Sequence, residues 1–300
     1  MPTLVSIGDG IIDAVEFGPG DVRRFPGGAA LNLAVGAARL GLRSRLVTRY
    51  GVDRDGSLLD RHLREEGVEV LNPRNVDFTG VVRSTRTNGE PTYHFNEVMF
   101  RRRILFSDAV VEAIREADAV AVNSFPFDNP KQVDALVSAL GQANGLVVVD
   151  PNPRPNLIAD IAAYRAGAER AMQVASMAKF SDEDIALLYG KVPAAEVAAR
   201  IAELGVATIL FTHGAAGARV TTREGVSVSV PIAGGEGAVV DTMGAGDATL
   251  ATTIAHILDR GRPSDEEGWR VCLNAAMQVA AATCAGAGGG LRLPSRGFSS

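Results

Sequence analysis

Short apolar runs ending at a glycine alternate along this chain with longer stretches whose apolar residues recur every three or four positions. The first kind reads as buried strands, the second as helices packed on them. "LVSIG" (4–8) is a strand. "GGAALNLAVGAARLG" (27–41) is a helix with Leu31, Val35 and Ala38 on its inner face. "RLVTRYG" (45–51) reads as the next strand and "GSLLDRHLREEGV" (56–68) as an amphipathic helix. The rhythm resumes at 109 with "AVVEAIREA", "DAVAVNSF", "PKQVDALVSALGQAN" and "GLVVVDPN", followed by a helical stretch at 161–176. "AAEVAARIAELG" and "ATILFTHG" add a helix and a strand, "GARVTTREGVSVSVP" has hairpin character, and helices follow at 246–260 and 267–284. Strands alternating with helices predict an α/β fold, a mostly parallel doubly wound sheet covered by helices. Ligands of such sheets sit at the carboxyl ends of the strands.

Between about 70 and 104 the period changes. "GVVRSTRTNGEPTYHFNEV" (80–98) alternates around Asn88-Gly89, a pair suited to a tight hairpin turn. "AVEFGPGDVRRF" (14–25) can add to it. The expectation is one domain over 1–300, with a small β insert formed by about 14–25 and 72–104. Such an insert serves as a lid or as an interface between copies.

Composition changes this picture little. Hydrophobic residues make up 46% and charged residues 22%, ordinary for a soluble chain with a full core. A net charge of −5 gives no electrostatic case for nucleic acid. Cys272 and Cys284 lack metal-type spacing and read as reduced residues of a cytoplasmic protein. No apolar run approaches the length of a membrane span, and "MPTLVSIGDG" lacks the features of a signal peptide.

The chemistry concentrates in "DTMGAGDATLA" (241–251). Bare amides of Met243, Gly244, Ala245 and Gly246 at a helix start attract anions. They suit the charge on a transferring phosphoryl group, and Asp247 on the first turn suits removal of a hydroxyl proton. The pattern alone fits an acidic helix cap equally well. There is no P-loop, no GxGxxG after the first strand and no protein-kinase set, which weighs against a nicotinamide dehydrogenase.

"DTMGAGDATLA" resembles the C-terminal signature of the ribokinase-like sugar kinases, the pfkB family. "PGGAALNLAVGAARLG" (26–41) resembles the N-terminal signature of the same family, and the resemblance spans nearly the whole chain. It implies the ribokinase-like fold, ATP and Mg2+ as cofactors, a monovalent cation such as K+, and phosphorylation of a primary hydroxyl of a small sugar. Asp247 takes the place of the catalytic base, and Gly244, Ala245 and Gly246 that of the anion hole. Asp13, which closes "GDGIID", takes a sugar-binding place with Gly27, Gly28 and Asn32. Tyr93 and Phe95 fall on the lid strand, and Arg154 falls in "VVVDPNPRPNLI" (147–158), facing the sugar or phosphate. "KFSDEDIALL" (179–188) stands where the family often has Asn-x-x-Glu, here with Ser181 and Asp184 in those places. Asp184 and Asp241 are the expected metal residues. "FTHGAAGARV" (211–220) resembles the nucleotide loop through Gly214 and Gly217, and Asn274 matches a position near the adenine. Arg101, Arg102 and Arg103 read as a solvated edge from which one residue could reach a phosphate or a sugar acid.

"GDGIIDA", "DPNPRP" and "KFSDEDI" point to a fructokinase-like member. 2-Keto-3-deoxygluconate, ribose, a nucleoside or a sugar phosphate remain open as acceptors. So does a non-catalytic sugar- or nucleotide-binding protein of the same fold. The expected partners are a small sugar and ATP, with neither nucleic acid nor membrane, and a second copy through the lid.

Overall fold

The first apolar run feeds two sheets at once. In the computed structural model, which describes residues 1–18, 20–71, 74–76, 78–87, 90–234, 238–286 and 288–294, β1 (Thr3–Gly8) is an interior strand of the main sheet, third from one edge. β2 (Ile11–Gly18) then leaves it and pairs antiparallel with β3 (Asp21–Gly27). α1 (Ala29–Arg39) packs back on the main sheet, and β4 (Arg43–Val47) lies parallel to β1. Next come β5 (Tyr50–Gly51), α2 (Arg54–Glu65), β6 (Glu69–Leu71) and β7 (Arg74–Val76). The predicted hairpin is β8 (Val81–Thr87) with β9 (Glu90–Phe95), and its Asn88-Gly89 turn lies outside the described residues. α3 (Glu97–Phe100) and α4 (Asp108–Glu116) return the chain to the main sheet.

There it alternates through β10 (Ala119–Asn123), α5 (Pro130–Leu140), β11 (Leu146–Asp150), α6 (Ile161–Met172) and β12 (Met177–Ser181). α7 (Asp182–Tyr189), α8 (Ala194–Glu203) and β13 (Thr208–Thr212) follow. The hairpin β14 (Ala218–Thr222) and β15 (Ser227–Val230) ends the sheet, and α9 (Ala245–Arg260) and α10 (Glu266–Cys284) cover it.

The main sheet runs β15-β14-β13-β12-β11-β10-β1-β4-β6, parallel from β13 to β6 and antiparallel at β14 and β15. The second sheet is β3-β2-β8-β9. Side chains alternate across a strand, so β10 feeds two cores. Val120 and Val122 enter one with Phe125, Leu136 and Tyr164. Ala119 and Ala121 enter the other with Leu250, Ile254 and the fully buried Trp269. The small alanines on that face leave room for helix against sheet.

Strand order reverses between β1 and β10, which opens a crevice at their carboxyl ends. Two sequence expectations shift. The strand expected over 45–51 breaks, because β1 leaves the sheet after Gly8 and its pairing with β4 stops at Ile7 with Val47. The helix expected over 161–176 ends at Met172, and residues 177–181 form a strand with Lys179 inside it. Among the described residues no helix is long and apolar enough to cross a membrane.

Candidate active site

The start of α9 is shaped by Gly244, which caps it in the left-handed conformation (φ 78°). A Cβ there would lie 2.1 Å from the Gly289 carbonyl oxygen, so the turn needs glycine. The Met243 N–H donates to Asp241 Oδ1 at 3.0 Å, and the Ala245 N–H reaches the Thr242 carbonyl at 3.3 Å. Two of the four amides expected to face an anion are thus engaged within the turn. Those of Gly244 and Gly246 have no hydrogen-bond partner among the described residues.

Asp247 sits in the first turn of α9 and is only 8% exposed. It accepts a hydrogen bond from Asn32 Nδ2 of α1 at 2.9 Å. Asn32 Oδ1 is buried and has no partner among the described residues. Burial pushes the Asp247 carboxyl above its ordinary range, while the Asn32 bond and then the charges of Lys179 and Arg154 pull it back. A buried carboxylate balanced this way suits proton removal.

Lys179 lies beneath the same turn. Its Nζ is 3.2 Å from Asp150 Oδ2 and 3.8 Å from Asp184 Oδ2. It is also 3.5 Å from where a Cβ on Gly246 would be. Burial works against the ammonium, but Asp150, Asp184 and Asp247 hold its pKa above that of an ordinary lysine. Asn123 Nδ2 completes the group with a 3.2 Å bond to Asp150 Oδ2. Reading the sequence for acids alone passed over Lys179. Its signal was a lysine inside an apolar strand, which is seldom buried without partners.

The two residues expected at a metal are partly committed. Asp184 and Ser181 form a capping box at the start of α7, with Asp184 Oδ2 accepting the Ser181 N–H at 2.7 Å. Asp241 accepts from the Met243 and Gly288 N–H groups, one on each oxygen. Among the described residues no three acidic, histidine or cysteine side chains cluster as a metal site.

On the other side of Asp247, Asp13 of β2 packs over Gly27, where a Cβ would lie 1.9 Å from Asp13 Oδ2. Gly28 (φ 100°) lets α1 start against the Asp9 carbonyl, 2.4 Å from where its Cβ would be. Burial pushes the Asp13 carboxyl up to about 7, with Arg154 opposing and Asp241 and Asp247 adding to the rise. Arg154 itself is exposed, after Asn152 in a left-handed conformation (φ 40°) at the end of β11. Phe95 packs against the small core of Ile11, Val82 and Met99, while Tyr93 stays exposed. Gly214 and Gly217 lie in the loop between β13 and β14, and Asn274 is exposed on α10. Among the described residues no hydrogen bond joins these three to Asp247. His213, given no role from sequence, bonds through Nδ1 to Asp182 Oδ1 at 2.7 Å.

The residues of this crevice thus come from the carboxyl ends of β1, β10, β11 and β12, from β2, and from the first turns of α1 and α9. The sequence pattern of the pfkB family carbohydrate kinases matches residues 1–296. A fructokinase of Escherichia coli is 29% identical over 297 residues, which covers 97% of this chain and 95% of the relative. The structure of fructokinase with bound ATP from Xylella fastidiosa is similar at a TM-score of 0.83 and 22% identity, over 96% of this chain and 93% of that one. Fructokinase from Vibrio cholerae O395 in its fructose, ADP and calcium ion bound form is similar at a TM-score of 0.78 and 24% identity, over 96% and 94%. These structural likenesses bear on the fold: a large, mostly parallel sheet flanked by helices, with a small second sheet. With its sequence pattern matched almost end to end, the chain belongs to the pfkB family of carbohydrate kinases, phosphotransferases that act on a sugar hydroxyl.

Proposed function

We propose that this chain is an ATP-dependent, fructokinase-like kinase that phosphorylates a primary hydroxyl of a small sugar, with Asp247 as the base. The observation that carries this is the Asp247 carboxylate itself, buried at the start of α9 behind a left-handed glycine and held by Asn32. The sugar hydroxyl oxygen bonds to the γ-phosphorus as the bond from that phosphorus to the ADP oxygen breaks. The hydroxyl proton passes to Asp247, and ADP leaves with the bridging electron pair. The Gly244, Ala245 and Gly246 turn and the Lys179 ammonium lie where negative charge builds, an arrangement that is worth most in a dry site.

Asp13 accepts from sugar hydroxyls, with backbone approach allowed by Gly27 and Gly28. The unpartnered Asn32 Oδ1 accepts another hydroxyl, which would satisfy a buried oxygen. The small sheet, with Phe95 and Tyr93, acts as the lid that excludes water. Arg154 holds the sugar or a phosphate. Gly214, Gly217 and Asn274 form the nucleotide side.

Magnesium fits a site of few protein ligands, because it keeps waters and binds mainly through phosphate oxygens. Asp184, with one oxygen in the helix cap, would hold it, and the ion would neutralise charge on the phosphates. Asp241 has both oxygens on backbone N–H groups and better suits the loop beside a monovalent cation.

The test is ADP release from magnesium-ATP with a panel of sugars, using Asp247→Asn as control. Turnover on one sugar that disappears in the variant supports the reading. Near-normal turnover in the variant removes Asp247 from the role. Nucleotide and sugar binding without any turnover would favour a binding protein.

A further inference from the structure

Past α10 the chain doubles back, and residues 288–291 lie against α1 and α9, the helices that carry Asn32 and Asp247. The buried Gly289 touches both halves of the site. A Cβ on it would lie 2.6 Å from Asn32 Nδ2, the atom that bonds to Asp247. Its carbonyl oxygen fills the place toward which a Cβ on Gly244 would point, 2.1 Å away. Whatever fixes Gly289 therefore fixes how Asn32 and the Gly244 turn face each other.

It is fixed from both sides. Ahead of it, the Gly288 N–H donates to Asp241 Oδ2 at 3.1 Å, and the other oxygen of Asp241 holds the Met243 N–H of the turn. Beyond it, Leu291 is 1% exposed, although Arg292 and Leu293 are exposed. Leu291 fills the notch left by Gly36 of α1, where a Cβ would lie 3.0 Å from Leu291 Cδ1 and 3.2 Å from Ala251 Cβ of α9. The Leu291 carbonyl accepts a hydrogen bond from Arg39 Nη1. Arg39 is gripped in turn by the Glu66 carboxylate at the end of α2, through Nε at 2.8 Å and through Nη2.

Asn32, Gly36 and Arg39 stand at i, i+4 and i+7 of α1, on one face and about 10 Å from first to last. A planar guanidinium that meets a carboxylate on one edge and a carbonyl on another is held in place, as a flexible ammonium is not. We propose that Arg39 is a positioning residue: from two turns away it holds down residues 288–291 through the Leu291 carbonyl, and so keeps Asn32 aimed at Asp247 and the Gly244 turn in shape. The inference rests on the reading of Asp247 as the base. Arg39 acts on the reaction only through this segment.

The experiment uses the full-length protein and two variants. Arg39→Gln cuts the fork at a side chain that is 35% exposed, and Leu291→Ala loosens the same segment without changing charge. On the sugar that wild type turns over best, each should lower kcat by about tenfold and leave the KM for ATP within about twofold. The acid limb of kcat/KM should move upward in both, because a loosened Asn32 lets the buried Asp247 keep its proton to higher pH. Lost stability alone reduces the amount of active protein and leaves that midpoint in place. A midpoint that rises in Arg39→Gln but not in Leu291→Ala reports only the missing charge and overturns the inference. So does a kcat for Arg39→Gln within about twofold of wild type. Should Leu291→Ala fail to fold, Leu291→Val takes its place.

Hydrogen exchange gives a readout that needs no turnover. The amides of Met243, Ala248 and Gly288 are bonded to Asp241 or to the Gly244 carbonyl. They should exchange about tenfold faster in Arg39→Gln than in wild type, with β10 and β11 unchanged. Unchanged exchange at these three amides overturns the inference. If wild type turns over no sugar, the kinase reading fails by itself, and faster exchange in the variant still supports Arg39 as the residue that holds the turn.

Discussion

Asn32 on the first turn of α1 donates its side-chain N–H to the carboxylate of Asp247 on the first turn of α9, 2.9 Å away and 215 residues along the chain. The bond favours the ionised acid in a place where burial favours the neutral one. Removing it should therefore let Asp247 keep its proton to higher pH. In Asn32→Ala the acid limb of the kcat/KM profile is expected to move upward relative to wild type. An unmoved or lowered midpoint would detach Asn32 from the base. The shift in midpoint is the readout, since the sugar contact changes the height of the curve.

Asp247→Asn keeps the size and hydrogen bonding of the side chain but cannot accept the proton. Turnover is expected to fall by about 100- to 10,000-fold, the usual worth of a general base. The KM for ATP should change little, since the amide leaves the turn intact. Steady-state ADP release on the best sugar measures both.

Asp13 carries a cost to the fold. Its folded pKa of about 7 lies above the unfolded value of 3.8. The folded chain therefore holds a proton that the unfolded chain releases, and stability falls as pH rises from about 4 toward 7. Asp13→Asn removes that loss. Its Tm should exceed wild type at pH 8 by about a few degrees and much less at pH 4, while sugar affinity drops. Thermal unfolding at the two pH values checks this, and an equal difference at both would contradict it.

Lys179→Met would leave Asp150 and Asp184 buried without their shared cation. Breaking such a group from one side costs about 3–5 kcal/mol. Denaturant unfolding should show a midpoint lowered to match. A change below about 1 kcal/mol, the worth of an exposed pair, would mean that the lysine is not the counter-charge.

Gly244→Ala forces a Cβ toward the Gly289 oxygen in a left-handed turn. The start of α9 must shift, and kcat should fall by about 10- to 100-fold through displaced amides. A crystal structure of the variant would show whether the turn moves.

Much of this was legible in the sequence because glycine leaves marks that other residues do not. Gly27-Gly28 and Gly244-x-Gly246 announce close approach, and the acid and amide residues beside them form the centre of the crevice. Periodicity placed most strands, since β10 and β11 are continuous apolar runs buried on both faces. The missed features depend on the partner strand. Pairing of β4 stops because β1 leaves the sheet, and no property of residues 45–51 announces that. Lys179 is anchored by acids 29 positions before and 5 positions after it, and Arg102 by an acid 93 positions before it. Those pairings appear only once the strands are laid side by side.

The reversal of strand order at β1 and β10 has an evolutionary consequence. The residues proposed to read the sugar come chiefly from the first 95 positions, and those proposed to hold the nucleotide come from beyond 210. On the proposed reading, acceptor and nucleotide are recognised by separate stretches of one gene. A lineage could drift from one carbon source to another by editing the early stretch, with the triphosphate side inherited unchanged.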